Sequence, residues 1–160
     1  MIDSPLGPIA IGATESGVSS IGFDRGTGFE PVDGNGVHIA ERASVQLREY
    51  SAGARTDFDL PLDPVGTPFQ RAVWDELMRI PLGETRSYRD VAQAIGKPDA
   101  VRAVGMANGR NPIVIVVPCH RVIGADGALR GYGGEVWRKE WLLAREGAIA
   151  PGGGLFASAT

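Results

Sequence analysis

Cys119 is the only cysteine of the chain and is followed directly by His120 and Arg121, in the run Pro118-Cys119-His120-Arg121-Val122. A thiol becomes an effective nucleophile when a nearby base or cation favours its thiolate, so this pair could attack an electrophilic carbon. The competing reading is that a lone cysteine is a small buried hydrophobe, as in most proteins. Position favours chemistry. The cysteine follows the run 113–117 (Ile-Val-Ile-Val-Val), continuous β-branched sequence expected to form a strand buried on both faces and stopped by Pro118. Strand ends in α/β structures display reactive groups beside a cleft. Adjacent side chains of an extended segment point to opposite faces. Cys119 and His120 could then cooperate only across a turn or through a water. With His38 and His120 as the two histidines, the chain has too few donors for a Cys/His structural zinc site.

The elements that must hold this run are legible upstream of it. Thr67 as N-cap, Pro68 at the first helical position and Gln70 completing a capping box predict a helix. Its apolar face is Phe69, Val73, Leu77 and Ile80, and Pro81 with Gly83 stops it. Ser87 caps a shorter helix carrying Val91, Ala92 and Ile95 and closed by Gly96. Pro98-Asp99 opens a third, with Val101 and Val104 as core positions. Two short helices across a glycine turn is the helix-turn-helix pattern, shared by helical hairpins that never meet DNA. Ala100, Ala103, Gly105, Ala107 and Gly109 make the third helix small-sided, at a cost in helix stability. Such a helix can approach another surface closely, whether a ligand or a neighbouring helix.

The first third reads as a small α+β unit. Strands at Ile9–Ala13 and Val18–Phe23 flank a hairpin loop at 14–17, and the Gly- and Pro-rich stretch 25–36 is expected to be a loop. Ile39, Ala43, Leu47 and Tyr50 recur at helical spacing up to Gly53, and 58–62 is a further extended piece. These patterns divide the chain into an N-terminal lobe over 1–62, a second lobe over 63–150 and a flexible tail over 151–160. Composition is that of a globular protein, with 43% hydrophobic and 22% charged residues in 160. The longest apolar run, 113–117, is far short of a membrane span. Asp3, Pro5 and Gly7 interrupt any secretory signal at the amino end. One cysteine excludes an internal disulfide framework and suggests a reducing, cytoplasmic setting. The net charge of −3 is unevenly spread: residues 1–62 carry −5, residues 63–150 carry +2 and the tail none. Overall acidity therefore does not exclude a nucleic-acid partner for the second lobe.

Pro118-Cys119-His120-Arg121-Val122 resembles the active-site signature of the O6-alkylguanine-DNA alkyltransferase (methylated-DNA–protein-cysteine methyltransferase) family. The resemblance extends over nearly the whole chain. Upstream it includes Gly66-Thr67, Phe69-Gln70, Val73-Trp74, Ile80-Pro81, Gly83, Thr85, Ser87-Tyr88, Arg102-Ala103-Val104-Gly105 and Asn111-Pro112. Downstream it includes Gly131-Tyr132-Gly133-Gly134, Lys139, Leu142-Leu143 and Glu146. It implies a ribonuclease-H-like N-terminal lobe without that activity, followed by a winged helix-turn-helix. It also implies single-turnover repair, in which an alkyl group passes irreversibly from O6-alkylguanine in duplex DNA to Cys119, with O4-alkylthymine as an alternative substrate. Neither metal nor cofactor is expected, and the expected state is a monomer without membrane or obligate protein partners.

Under the resemblance His120 takes the thiol proton and Glu146 orients it, the logic of a base positioned by a carboxylate. Tyr88 protonates the departing guanine, and Asn111 braces the turn around the active-site run. Because the target atom lies inside the duplex, the nucleotide must be flipped out. The family pattern makes Arg102 the finger that fills the gap, with Ala103 and Gly105 in the minor groove and Ser87 and Arg110 towards the DNA backbone. Tyr132, Gly133 and Gly134 line the alkyl pocket together with Val122 and Pro118. Arg130 is a departure, since relatives more often carry a small or polar residue there. On the residues alone, Tyr88 could simply pack its ring and Glu146 could simply pair with Arg145 or Lys139. Two other functions compete: a lesion-binding protein that transfers nothing, against which Cys119 itself counts, and a thiol hydrolase, which leaves Arg102 on its small-sided helix without a purpose.

Overall fold

The computed structural model describes residues 1–23, 34–129, 132 and 135–150. Arg130, Gly131, Gly133, Gly134, the tail 151–160 and most of the expected loop 25–36 lie outside the described residues. The chain forms two compact units, Met1–Val65 with Pro112–Val116 and Gly66–Asn111 with Val117–Thr160.

In the first unit, β1 (Ile9–Ala13) and β2 (Val18–Phe23) pair antiparallel, with an irregularity between Gly12 and Ala13. Gly17 is required at their turn, because a Cβ there would meet the Pro61 backbone at 2.7 Å. Val18 bridges Leu62 and Ile21 bridges Ile113, both parallel. α1 (Asn35–Ser51) buries Ile39, Ala43, Leu47 and Tyr50, the stripe expected from helical periodicity. It begins one residue before Gly36, which is helical and buried rather than part of the preceding loop. Tyr50 and Phe58 stack tilted, 5.4 Å apart.

The run 113–117 is not a strand. Ile113 alone makes a bridge, and the chain then turns. Val116 N–H donates to Val114 O at 2.9 Å across Ile115, whose φ is 73°, a γ-turn of the strained, positive-φ kind. A β-branched residue there is a genuine outlier. Ile115 is nevertheless buried, so packing its side chain outweighs the backbone cost.

In the second unit, α2 (Pro68–Leu77) has both halves of the capping box, with Thr67 accepting from Gln70 N–H and the Gln70 side chain accepting from Thr67 N–H. The helix ends before Ile80, which is buried in the turn beyond it, and Trp74 rather than Phe69 shares the buried face. Gly66 permits this packing: a Cβ there would stand 2.5 Å from the Trp74 ring. β3 (Arg86–Ser87) leads into α3 (Tyr88–Ala94), capped reciprocally by Ser87 and Asp90. α4 (Val101–Gly109) starts two residues later than Pro98-Asp99 would place it. Trp74 Nε1 donates to Ala107 O at 2.9 Å, a buried bond that ties α2 to the end of α4. β4 (Val122–Ile123) pairs parallel with β3, and α5 (Val136–Arg145) buries Lys139, Leu142 and Leu143. No described helix is long and apolar enough to cross a membrane.

Candidate active site

Cys119 stands at the start of a single 3₁₀ turn, Cys119–Arg121, and not at a strand end. Pro118 has φ −82° and ψ 63°, and Cys119 N–H donates to Val117 O at 2.8 Å, an inverse γ-turn that swings the chain into that turn. The turn removes the objection raised by an extended geometry, because successive side chains no longer alternate between faces. Cys119 is buried and His120 fully so. Two amides hold the backbone around them. Asn111 Nδ2 donates to Val117 O at 2.8 Å, and Asn108 Nδ2 to Cys119 O at 3.3 Å.

Glu146, the C-cap of α5, receives His120 and Arg121 together. His120 Nε2 lies 2.9 Å from Oε2. Arg121 Nε donates to Oε1 at 2.8 Å and Nη2 to Oε2 at 3.1 Å, while Nη1 donates to Ile80 O at 2.7 Å. Burial pushes the Glu146 carboxyl up, but His120 and Arg121 outweigh it and hold it at about 2. An ionised carboxylate only accepts hydrogen bonds, so the proton on the ring must be on Nε2. His120 Nδ1 is then the basic nitrogen, and this buried atom makes no hydrogen bond among the described residues. Burial pushes the imidazole below its usual range, against the pull of Glu146. Burial likewise pushes the Cys119 thiol up, opposed by the Asn111 amide, the Lys139 charge and backbone N–H groups. Burial thus favours the neutral thiol at Cys119 and the neutral imidazole at His120.

The other residues implicated by sequence belong to the same unit. Tyr88 opens α3, half-buried, and Gly105 of α4 faces its ring: a Cβ at Gly105 would contact it at 3.9 Å. Arg102, Ala103, Met106 and Gly109 are exposed along α4 and Arg110 is exposed at its C-cap, a face with Met106 at its middle and an arginine at each end. Ser87 is engaged as the cap of α3. Pro118 and Val122 are buried beside Cys119, and Tyr132 is partly buried with φ 61°. The described residues contain no group of three or more His, Cys, Asp or Glu side chains able to hold a metal. Sequence reasoning overlooked Asn108, Arg121 as a partner of Glu146, and Lys139 as a core residue. For Lys139 a signal existed, since 139, 142, 143 and 146 share one face of a helix.

Residues 1–64 match the model of the 6-O-methylguanine DNA methyltransferase ribonuclease-like domain, and residues 68–148 that of the DNA binding domain of the same family. The chain is 48% identical over 151 residues to a Methanosarcina acetivorans methylated-DNA–protein-cysteine methyltransferase, covering 92% of this chain and 97% of the relative. It is also 48% identical over 156 residues to the Mycobacterium bovis protein of that name, covering 94% and 92%. Among solved structures, a Mycobacterium tuberculosis O6-methylguanine methyltransferase superposes with a TM-score of 0.80 at 47% identity, covering 95% of this chain and 93% of that one. The Mycobacterium tuberculosis OGT in complex with DNA gives a TM-score of 0.82 at 48% identity, covering 91% and 90%. With both domain models matched in order and relatives of this identity aligned over almost their whole length, the chain belongs to the 6-O-methylguanine DNA methyltransferase family.

Proposed function

We propose that this protein repairs O6-alkylguanine in duplex DNA by moving the alkyl group to Cys119, once per molecule. The observation that carries this reading is the pinned imidazole. Glu146 fixes the Nε2 proton of His120 and so leaves Nδ1 as the basic nitrogen of the residue that follows a buried thiol in the chain. Nδ1 takes the thiol proton, directly or through a water, and the sulfur attacks the alkyl carbon in line with the bond to O6. The S–C bond forms as the C–O6 bond breaks, and its electron pair leaves with guanine. Tyr88 protonates the leaving base and recovers a proton from the imidazolium by way of solvent. The net change is one proton from sulfur to guanine and one alkyl group from guanine to sulfur. The thioether is not converted back to the thiol, so the count is one lesion per chain.

The exposed face of α4 would enter the minor groove, with Arg102 filling the stack from which the nucleotide has been flipped. Ala103 and Gly105 would allow close approach, and Arg110 and the turn at Ser87 would meet phosphates. Tyr132, Val122 and Pro118 would shape the alkyl pocket. In this division of labour residues 63–150 bind DNA and transfer the group, and residues 1–62 serve as a scaffold. We place the protein in the cytoplasm, where its one thiol stays reduced.

Intact-protein mass after incubation with a duplex carrying one O6-methylguanine tests the proposal. The expected result is a gain of one methylene (S–H becoming S–CH₃), located on the Cys119 peptide and saturating at one per chain. Lesion-selective binding without any mass change would instead make this a sensor.

A further inference from the structure

Cations of the second unit differ in the company they keep. Arg79, Arg86, Arg121 and Arg138 each reach a carboxylate, and Arg79 lies 3.0 Å from Glu76 although its side chain is 75% exposed. Arg89, Lys97, Arg102 and Arg110 are exposed and make no ion pair with any described residue. All four fall within residues 88–110, where the acids are Asp90 and Asp99, so this stretch carries the whole +2 excess of residues 63–150. Asp90 is committed to the Ser87 N–H. Arg102 and Arg110 stand at the ends of the exposed face of α4. Lys97 lies in the turn between α3 and α4, where its N–H donates to Ala92 O and its carbonyl accepts from Ala100 N–H. Both backbone bonds fix that turn and leave the ammonium in solvent. Arg89 follows Tyr88, whose ring Gly105 of α4 faces. The wall that α3 turns to Glu76 and Arg79 of α2 is made by Asp90, Val91, Gln93 and Ala94, and Arg89 is not on it.

We infer that Arg89 and Lys97 are phosphate contacts that complete the grip of α4 on duplex DNA, an inference that rests on the reading of α4 as the helix entering the minor groove. A cation already paired with a carboxylate has little to offer a second anion. An unpaired one releases counterions when it meets a phosphate. Phosphates run along both edges of the groove, within reach of side chains that flank a helix lying in it. Such contacts fix orientation without reading sequence, as repair of a lesion in any sequence context requires.

The test measures binding of full-length protein to a short duplex by fluorescence anisotropy across a salt series, with guanine or one O6-methylguanine at its centre. R89Q/K97Q is compared with wild type and with R48Q/R79Q, which removes two charges from exposed positions on α1 and beyond α2. The expected result is a slope of log affinity against log salt that is shallower by about two in R89Q/K97Q, on both duplexes. R48Q/R79Q should keep the wild-type slope, and so should R89K/K97R, which retains the charges. Where the double variant fails to fold, as read by a thermal melt, R89Q and K97Q singly should each lower the slope by about one. A change smaller than one in folded R89Q/K97Q, or an equal change in R48Q/R79Q, would overturn the inference. A wild type that binds the duplex yet gains no methyl group would overturn the proposed function instead, while the slopes still decide the role of Arg89 and Lys97.

Discussion

The thiol of Cys119 and the ring of His120 are both held neutral by burial, and the one fixed negative charge beside them belongs to Glu146. Replacing Cys119 with Ala should abolish transfer and leave DNA binding intact, since the exposed face of α4 is untouched. Mass spectrometry and fluorescence anisotropy on the same preparation check this, and lost binding in a folded variant would contradict the separation. The pKa shifts also fix a pH dependence. Glu146 sits at about 2 in the folded chain against an ordinary 4.5, so the unfolded chain binds more protons between those values. The stability it contributes is whole above about 4.5 and disappears as pH falls towards 2. His120, held below its ordinary 6.5, acts with the same sign from pH 6.5 downward. Thermal midpoints should therefore fall on acidification from pH 7. In Glu146→Gln the fall below pH 5 should flatten, from a neutral-pH stability reduced by about 3 kcal/mol for a broken buried pair. A wild-type midpoint that stays level to pH 4 would refute this.

Among the helices, α2 gains most visibly from local chemistry, because both halves of its capping box are formed. Thr67→Ala should cost about 1 kcal/mol, read as a midpoint lowered by roughly 2–4 °C for a chain of this size. No change would mean that the start of α2 is fixed by packing alone. α4 is fastened at its C-terminal end, through Trp74 to Ala107 O and through Asn108 to Cys119 O, while its outer face stays open. Arg102→Ala should accordingly slow repair of duplex DNA far more than reaction with O6-benzylguanine as a free base, which needs no flipping. Equal losses in the two rate measurements would remove the finger role from Arg102.

At the scale of the molecule, reaction and stability are linked through one crowded place. Cys119 is 4% exposed, in a turn whose flanking carbonyls are held by Asn108 and Asn111. An added alkyl group overpacks that place, which typically costs about 1–3 kcal/mol. Melts of alkylated and free protein should show the alkylated form with the lower midpoint, and an equal or higher one would refute the crowding. Charge is also organised at this scale. The −5 of residues 1–62 is kept apart in sequence from the +2 of residues 63–150. So small a positive excess implies modest, salt-sensitive DNA affinity.

Whatever depended on neighbours in sequence was readable without coordinates. Thr67 with Gln70 and Ser87 with Asp90 are contacts three residues apart, and the α1 stripe is plain periodicity. The Cys119-His120 motif, with its resemblance, pointed to the site because its members adjoin. The run 113–117 was misread as a strand because β propensity describes a fit to a pleated surface, and only Ile113 finds a partner strand. Tertiary packing bent the rest, accepting φ 73° at Ile115 to bury its side chain. Pro118 then turns the chain again, and Cys119 stands in a 3₁₀ turn. The same separation concealed Arg121 and Lys139, whose partners Glu146 and Val122 lie 25 and 17 residues away. Sequence alone thus determined the short-range elements and singled out Cys119 and His120 as the candidate pair. The tertiary structure decided which charges surround that pair, because burial and long-range proximity set a side chain's protonation and neither is encoded in its immediate neighbours.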